Sequence, residues 1–483
     1  MRSLFERLLA GGAAYQASSL VSAALAVVTL PLYTRALTRS DFGIAETLLT
    51  FIILASILLR FGLGEAFVRY YHAHEDPAER DRLARTTTAT VLLTTTAASL
   101  LAAVAAGPLS RLLFGFEDAG IMRIGVLGLW AFTNLEIAYG LLRVEERRRA
   151  YLLASLANVL LTVGLTVTLV VVLDQGARGY VAGNYVGSTV ALLGLWWTLR
   201  GRFGVRIGDR RAALAPLLRF GVPTVPADAT VFALNVIDRA YLLRTQSAAA
   251  AGLFALSVKL ATAVILSVRG FQLAWAPLAY SIDDHARARR FYAAVTTWFV
   301  VVAGLVVAGL TLLGRWLVRL LAAPDYFAAH EALPWVALGW AMYGLLLVFV
   351  TIGGRAGVTT RNFPAAIAGV TVNVVVLVVL VGPLGIAGAG IALVAAYGVM
   401  LVVLHLLTRR LFVVPFEWRR LAHAVALLAG IAVGGELLLP THGVAGFVLR
   451  ALALAAIPIG LLATGFMRPD ERAGLRELVS RGG

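Results

Sequence analysis

The sequence predicts an all-α polytopic membrane protein, and three observations predict it. The first is composition: 60% of the 483 residues are hydrophobic, above the ~45–50% of soluble domains, and mean hydropathy is +0.85. The second is clustering, in runs such as SLVSAALAVVTLPLY and VNVVVLVVLVGPLGIAGAGIALVAAYGVMLVVL. About 20 residues at 1.5 Å each cross a ~30 Å hydrocarbon core. The third is where the charge lies. The net +16 is nearly all arginine, with Lys259 the only lysine, and most of it falls between the apolar runs. That distribution does not make the folded basic surface a nucleic acid requires. With no cysteine in the chain, disulfides and thiolate metal sites are excluded.

Fourteen spans are expected, near 12–36, 42–69, 86–110, 121–142, 151–173, 179–199, 217–242, 250–280, 291–314, 331–352, 363–381, 386–408, 421–438 and 445–466. The first run is too long for a signal-peptide core and reads as span 1. Twenty-seven arginines fall at the termini and in the even-numbered loops, against seven in the odd-numbered loops. By the positive-inside rule both termini are cytoplasmic. No connection is long enough for a soluble catalytic domain, so no enzyme is expected.

Sliding the chain along itself brings Gly12 onto Gly221, Arg35 onto Arg244, Gly43 onto Gly252 and Arg60 onto Arg269, all at an offset of 209. Gly176 onto Gly385, Gly179 onto Gly388 and Arg200 onto Arg409 share that register. Two parallel six-helix repeats around a central cavity are therefore expected, with two C-terminal helices outside the repeat. The expected divisions are an N-terminal lobe at 1–200, a cytoplasmic linker at 201–216, a C-terminal lobe at 217–410, spans 13 and 14 at 411–466 and a cytoplasmic tail at 467–483.

Charge within the spans narrows the search. Span 7 opens GVPTVPADATVFALNVIDRAYL, where Pro223 and Pro226 should bend its cytoplasmic end. Asp228, Asn235 and Arg239 fall within about 20° of one line, a polar stripe that faces protein or a water-filled cavity rather than lipid. Asp238 adjoins it and should partly neutralise Arg239. Lys259 and Arg269 lie inside span 8, and Arg60 holds the matching place in span 2. Glu65 and Arg69 are four apart and can pair. Arg35, Arg244 and Arg69 lie near span ends, where they bind substrate or anchor helices. Glu136 stands isolated. The pairs at 75–76 and 283–284 read as solvated charge, and the seven histidines show no metal-ligand spacing.

These residues resemble a family. YTRALTRSDFGIAETL, then LRFGLGEAFVRYYHAHEDPAERDRL, is similar to the start of bacterial oligosaccharide and O-antigen flippases. Those form the polysaccharide transporter family of the multidrug/oligosaccharidyl-lipid/polysaccharide exporter superfamily. VIDRAYLLRTQSAAAAGLFALSVKLATAVILSVRGFQLAWAPLAYS resembles the family's span 7–8 segment, with Asp238, Arg239, Gly252, Lys259, Trp275 and Pro277 on its recurrent positions. The resemblance implies a polyprenyl-diphosphate-linked glycan (O-antigen, capsule or exopolysaccharide unit) turned across the bacterial inner membrane. Substrate contacts would come from Arg60, Arg239, Lys259, Arg269, Asn235, Arg35 and Arg244, since the guanidinium fork suits phosphate oxygens. Ion coupling, to H⁺ or Na⁺, would fall to Asp228, Asp238 or Glu65. A glycan polymerase and glycosyltransferases would be partners, with membrane lipid; no cofactor and no nucleic acid are expected. The alternative is a small-molecule antiporter of the multidrug and toxic-compound extruder type on the same fold, which would want an acidic cavity.

Overall fold

The computed structural model describes residues 21–22, 24–200, 210–355, 358–468 and 471. The beginning of expected span 1, most of the expected linker and nearly all of the expected tail lie outside the described residues. Every regular element among those described is a helix. Nine of these helices are long and apolar enough to cross a membrane, and a pair bent by 41° at residue 261 makes a tenth. The chain is a multi-pass membrane protein.

The chain packs as two compact units, one of residues 1–255 with 321–326 and the other of residues 256–320 with 327–483. The first unit takes in all of expected span 7 and the start of span 8.

In the first unit, α1 (Ala24–Ala36) leads into α2 (Arg39–Leu59), whose N-cap Thr38 accepts the Asp41 amide. That bond satisfies one of the helix's orphan donors. Left-handed Phe61 and Gly62 then break the span, and α3 (Leu63–Ala73) continues it. α4 (Pro77–Val104) starts with Asp76 as N-cap and Pro77 at its first position. A short α5 (Ala106–Phe114) follows. α6 (Ala119–Val144) is capped by Asp118, whose carboxylate also takes Arg178 at 3.1 Å. α7 (Arg148–Val167) and α8 (Gly176–Leu199) pair closely. α9 (Arg210–Gly221) and α10 (Val225–Thr245) are separated by a 3-10 turn at Val222–Thr224, beside Pro223 and Pro226. The segment 321–326 closes this unit: the Ala323 amide donates to Thr34 Oγ1 at 3.1 Å, and the Tyr326 hydroxyl to the Leu37 carbonyl at 3.0 Å.

α11 (Ala248–Leu260) runs from the first unit into the second. The second unit continues with α12 (Thr262–Ser281), α13 (His285–Leu321), α14 (Leu333–Arg355), α15 (Asn362–Thr408), α16 (Trp418–Leu438) and α17 (Gly443–Ala463). The 47 residues of α15 would reach ~70 Å if straight. Instead the helix folds at Gly385, with φ 53 and ψ −131, a region that is essentially glycine's alone. Its halves lie against each other, for a Cβ at Gly369 would come 2.4 Å from Met400.

Several landmarks share the offset of 209. α2 starts at Arg39 and α11 at Ala248; α8 ends at Leu199 and α15 at Thr408. Gly176 and Gly385 both take left-handed φ, 54° and 53°. Gly43 and Gly252 meet reciprocally: a Cβ on Gly43 would lie 2.1 Å from the Ala248 carbonyl oxygen, and one on Gly252 2.0 Å from that of Arg39. Only glycine lets the two backbones approach so closely.

At the far end of the chain, Arg450 of α17 is fully buried. Its Nε donates to the Pro440 carbonyl at 3.0 Å, Nη2 to Leu439 at 3.1 Å and Nη1 to Leu312 at 3.2 Å, while Glu436 takes the charge. The guanidinium thus satisfies two carbonyls just past the end of α16 and one within α13. Near residue 468, Glu471 accepts from Trp298 Nε1 at 3.1 Å, Arg420 Nη2 at 2.8 Å and the Arg468 amide at 2.8 Å. Burial alone would push this carboxyl up. The three hydrogen bonds outweigh it and hold the group below the ordinary carboxylate value.

Candidate functional site

The polar stripe of span 7 resolves into a buried cluster in the first unit. α10 packs along α2, and Asn235, Asp238 and Arg239 are at most 6% exposed. Arg239 Nη1 donates to the Glu46 carbonyl at 2.9 Å and to the Thr50 hydroxyl, and it stands 3.7 Å from Glu46 Oε2. The other carboxylate oxygen of Glu46 accepts the Tyr180 hydroxyl at 2.8 Å. Tyr180 in turn meets the Tyr33 ring edge-on at 5.2 Å. One ion pair therefore joins α2, α8 and α10, with α1 against its aromatic wall. An unpaired charge there would be far more costly than the pair.

The carboxylate so placed beside Arg239 is Glu46. Asp238, fully buried on the same helix, adds its charge to the same cluster. Glu46 and Tyr180 are the members that sequence reasoning did not bring to this site. A signal existed: Glu46 is an acid within an apolar span, and Thr50 follows on the same helix face.

Arg60, at the end of α2, bonds the Ser56 carbonyl through Nε at 3.3 Å and approaches Glu136 at 3.8 Å. Glu136 is thus not isolated. Arg69 lies over the Phe220 ring, 4.4 Å from its centroid, rather than on Glu65. Both Glu65 and Arg69 are exposed, and a ring contact leaves the guanidinium in water. Arg35 is exposed, and exposed Arg244 donates to the Leu112 carbonyl at 3.2 Å. The backbone of Asp228 lies in α10; its side chain is outside the described residues. In the second unit Lys259 is partly buried in the last turn of α11, and Arg269 is exposed on α12. Among the described residues no group of three or more His, Asp or Glu could hold a metal ion.

Solved transporters share this helical membrane fold. The lipid II flippase MurJ, in an inward closed conformation, superposes at TM-score 0.73 and 12% identity, over 94% of this chain and 98% of that one. An inward-facing multidrug resistance MATE family transporter of the MOP superfamily gives 0.65 and 17%, over 81% and 94%. A MOP superfamily transporter from Pyrococcus furiosus gives 0.54 and 16%, over 83% and 93%. A comparison with curated proteins finds no match. The family model described as polysaccharide biosynthesis protein matches residues 8–283, more than half of the chain. The chain belongs to that family, and the resemblance read from the sequence is borne out.

Proposed function

We propose that this protein is a flippase. Its substrate would be a polyprenyl-diphosphate-linked oligosaccharide, an O-antigen, capsule or exopolysaccharide unit, carried from the inner to the outer leaflet of the bacterial cytoplasmic membrane by alternating access. Fourteen crossings with both termini cytoplasmic complete the reading. The family supports a role in polysaccharide assembly, and a solved protein of similar fold is a lipid II flippase.

The observation that carries the transport half is the register of 209. Helix starts, helix ends, two glycines of equal left-handed φ and a reciprocal glycine contact all obey it. In a twofold arrangement a residue meets its own copy only beside the axis. The Gly43–Gly252 contact therefore supports two parallel copies about one axis, the design of transporters that bind between repeats.

Arg60, Lys259 and Arg269 are the cations assigned to the diphosphate, since each is at least partly accessible. Arg239, held by Glu46 and Thr50, braces α10 against α2 instead. Asn235, Arg35 and Arg244 border the glycan path. Asp228, Asp238 and Glu65 are the acids assigned to a proton or sodium gradient, and glycosyltransferases and a glycan polymerase would work on either side of the step.

The test is export of lipid-linked glycan by single Ala variants of Arg60, Lys259 and Arg269 that still accumulate in the membrane. Losing one charge-assisted phosphate contact of about 1.5–3 kcal/mol should reduce export roughly 10- to 100-fold. Full export in all three variants would remove the cations from the substrate path. Transport of small cations in its place would establish the antiporter.

A further inference from the structure

The second unit contains a cleft of about 860 Å³ bordered by α13, α14 and α16, toward the upper end of small-molecule sites at ~300–1,000 Å³. Between Phe299 and Arg315 it follows α13 for roughly 24 Å at 1.5 Å per residue. That is close to the ~20 Å between a bilayer's midplane and its headgroup surface. Its walls are aliphatic, with Val300, Val307, Leu338 and Leu345 among them, and water inside would find few partners. Its ionisable side chains are Arg315, His330, Glu331 and Glu436.

The chemistry of these groups narrows the occupant. Arg315 Nη2 donates to Glu436 Oε1 at 2.6 Å, and Glu436 is also held by buried Arg450. Arg315 Nε is buried with no partner among the described residues. Glu331 is exposed. Arg450 does not line the cleft but pairs with Glu436 from behind it, so the lining charges left are Arg315 and exposed Glu331, with His330 beside them. A multiply charged anion would meet Glu331 and Glu436 as like charges. A headgroup bearing one phosphate and one ammonium finds a donor in Arg315 and an acceptor in Glu331.

We propose that this cleft is a binding site for a zwitterionic phospholipid with a primary ammonium head, phosphatidylethanolamine, whose acyl chains lie along α13 and α16. The site is separate from the cations assigned to transport, and its occupancy is read without any transport assay. Failure here leaves the flippase reading intact.

Native mass spectrometry of the delipidated full-length protein tests it, with phosphatidylethanolamine, phosphatidylglycerol and a polyprenyl phosphate offered in turn. Phosphatidylethanolamine should bind most tightly. Ala429→Trp, which puts an indole where an exposed alanine lines the cleft, should weaken it about tenfold. Glu331→Gln, an exposed change with little bearing on folding, should weaken phosphatidylethanolamine about tenfold and leave phosphatidylglycerol unchanged, as expected for one lost charge-assisted bond. Equal binding of the two phospholipids overturns the headgroup assignment. Tighter binding of polyprenyl phosphate assigns the cleft to a carrier lipid, and binding unaffected by Ala429→Trp places the lipid elsewhere.

Discussion

Arg239 of the first unit and Arg450 of the second are both buried in apolar surroundings, and both sit beside a glutamate from another helix. Their surroundings differ in kind. Arg450 serves carbonyls at Leu312, Leu439 and Pro440 as well as Glu436, so most of its bonds go to backbone. Arg239 meets a carboxylate whose second oxygen is held by Tyr180, and the Glu46 carbonyl it touches is also bonded by Thr50 within α2. One guanidinium is part of the backbone's hydrogen-bond accounting; the other is a counter-charge. The Arg239 cluster also has no counterpart at the offset of 209. At the offset of 209, Arg239, Glu46 and Tyr180 correspond to Leu30, Ala255 and Ala389. The helix ends and glycines that share this offset are therefore not accompanied by a second such ion pair.

The largest effect should come from Arg450→Met. It leaves several carbonyls without their donor and Glu436 with Arg315 alone, at about 3–5 kcal/mol, and thermal unfolding in detergent should show a large drop in Tm. Adding Glu436→Leu should restore little, because the carbonyls stay orphaned. Arg239→Leu should destabilise comparably or somewhat less, by about 3 kcal/mol, since Glu46 is left buried and charged. Here Glu46→Leu in the same chain should recover most of the loss. If both double variants recover alike, or neither does, the distinction between the two arginines is wrong. The smallest effect concerns the more accessible Glu471 cluster. A carboxyl held below its usual value contributes stability above that value and loses it as pH falls. The contact of Glu471 with Trp298 should therefore weaken below pH 4.5, the ordinary value for this group. Proteolysis near residue 468 should then speed up, while Glu471→Gln protein should show no such dependence.

Much of the architecture was legible because its signals are local or periodic. Apolar runs mark spans, Pro223 and Pro226 mark the break between α9 and α10, and Gly176 and Gly385 stood out by recurring in one register. The partners in the candidate site were not legible for a different reason. Glu46 meets Arg239 across nearly two hundred residues, and only the packing of α2 on α10 decides it. The same holds for Arg60 with Glu136. Helix spacing allowed Arg69 to pair with Glu65, but Arg69 lies over the Phe220 ring that α9 brings in. Spacing identifies what can meet along one helix; it does not reveal which other helix arrives.

The six residues 321–326 have a consequence for how the molecule is made. They belong to the first unit, yet the rest of that unit ends at residue 255. Synthesis proceeds at about 5–20 residues per second, so the intervening stretch 256–320 takes roughly 3–13 seconds to appear. Throughout that interval Thr34 lacks the Ala323 amide and Leu37 lacks the Tyr326 hydroxyl. The amino-terminal half cannot finish folding as it emerges. It must wait, inserted but unclasped, for a strap encoded much later, and a chain stopped at residue 255 would remain permanently in that waiting state.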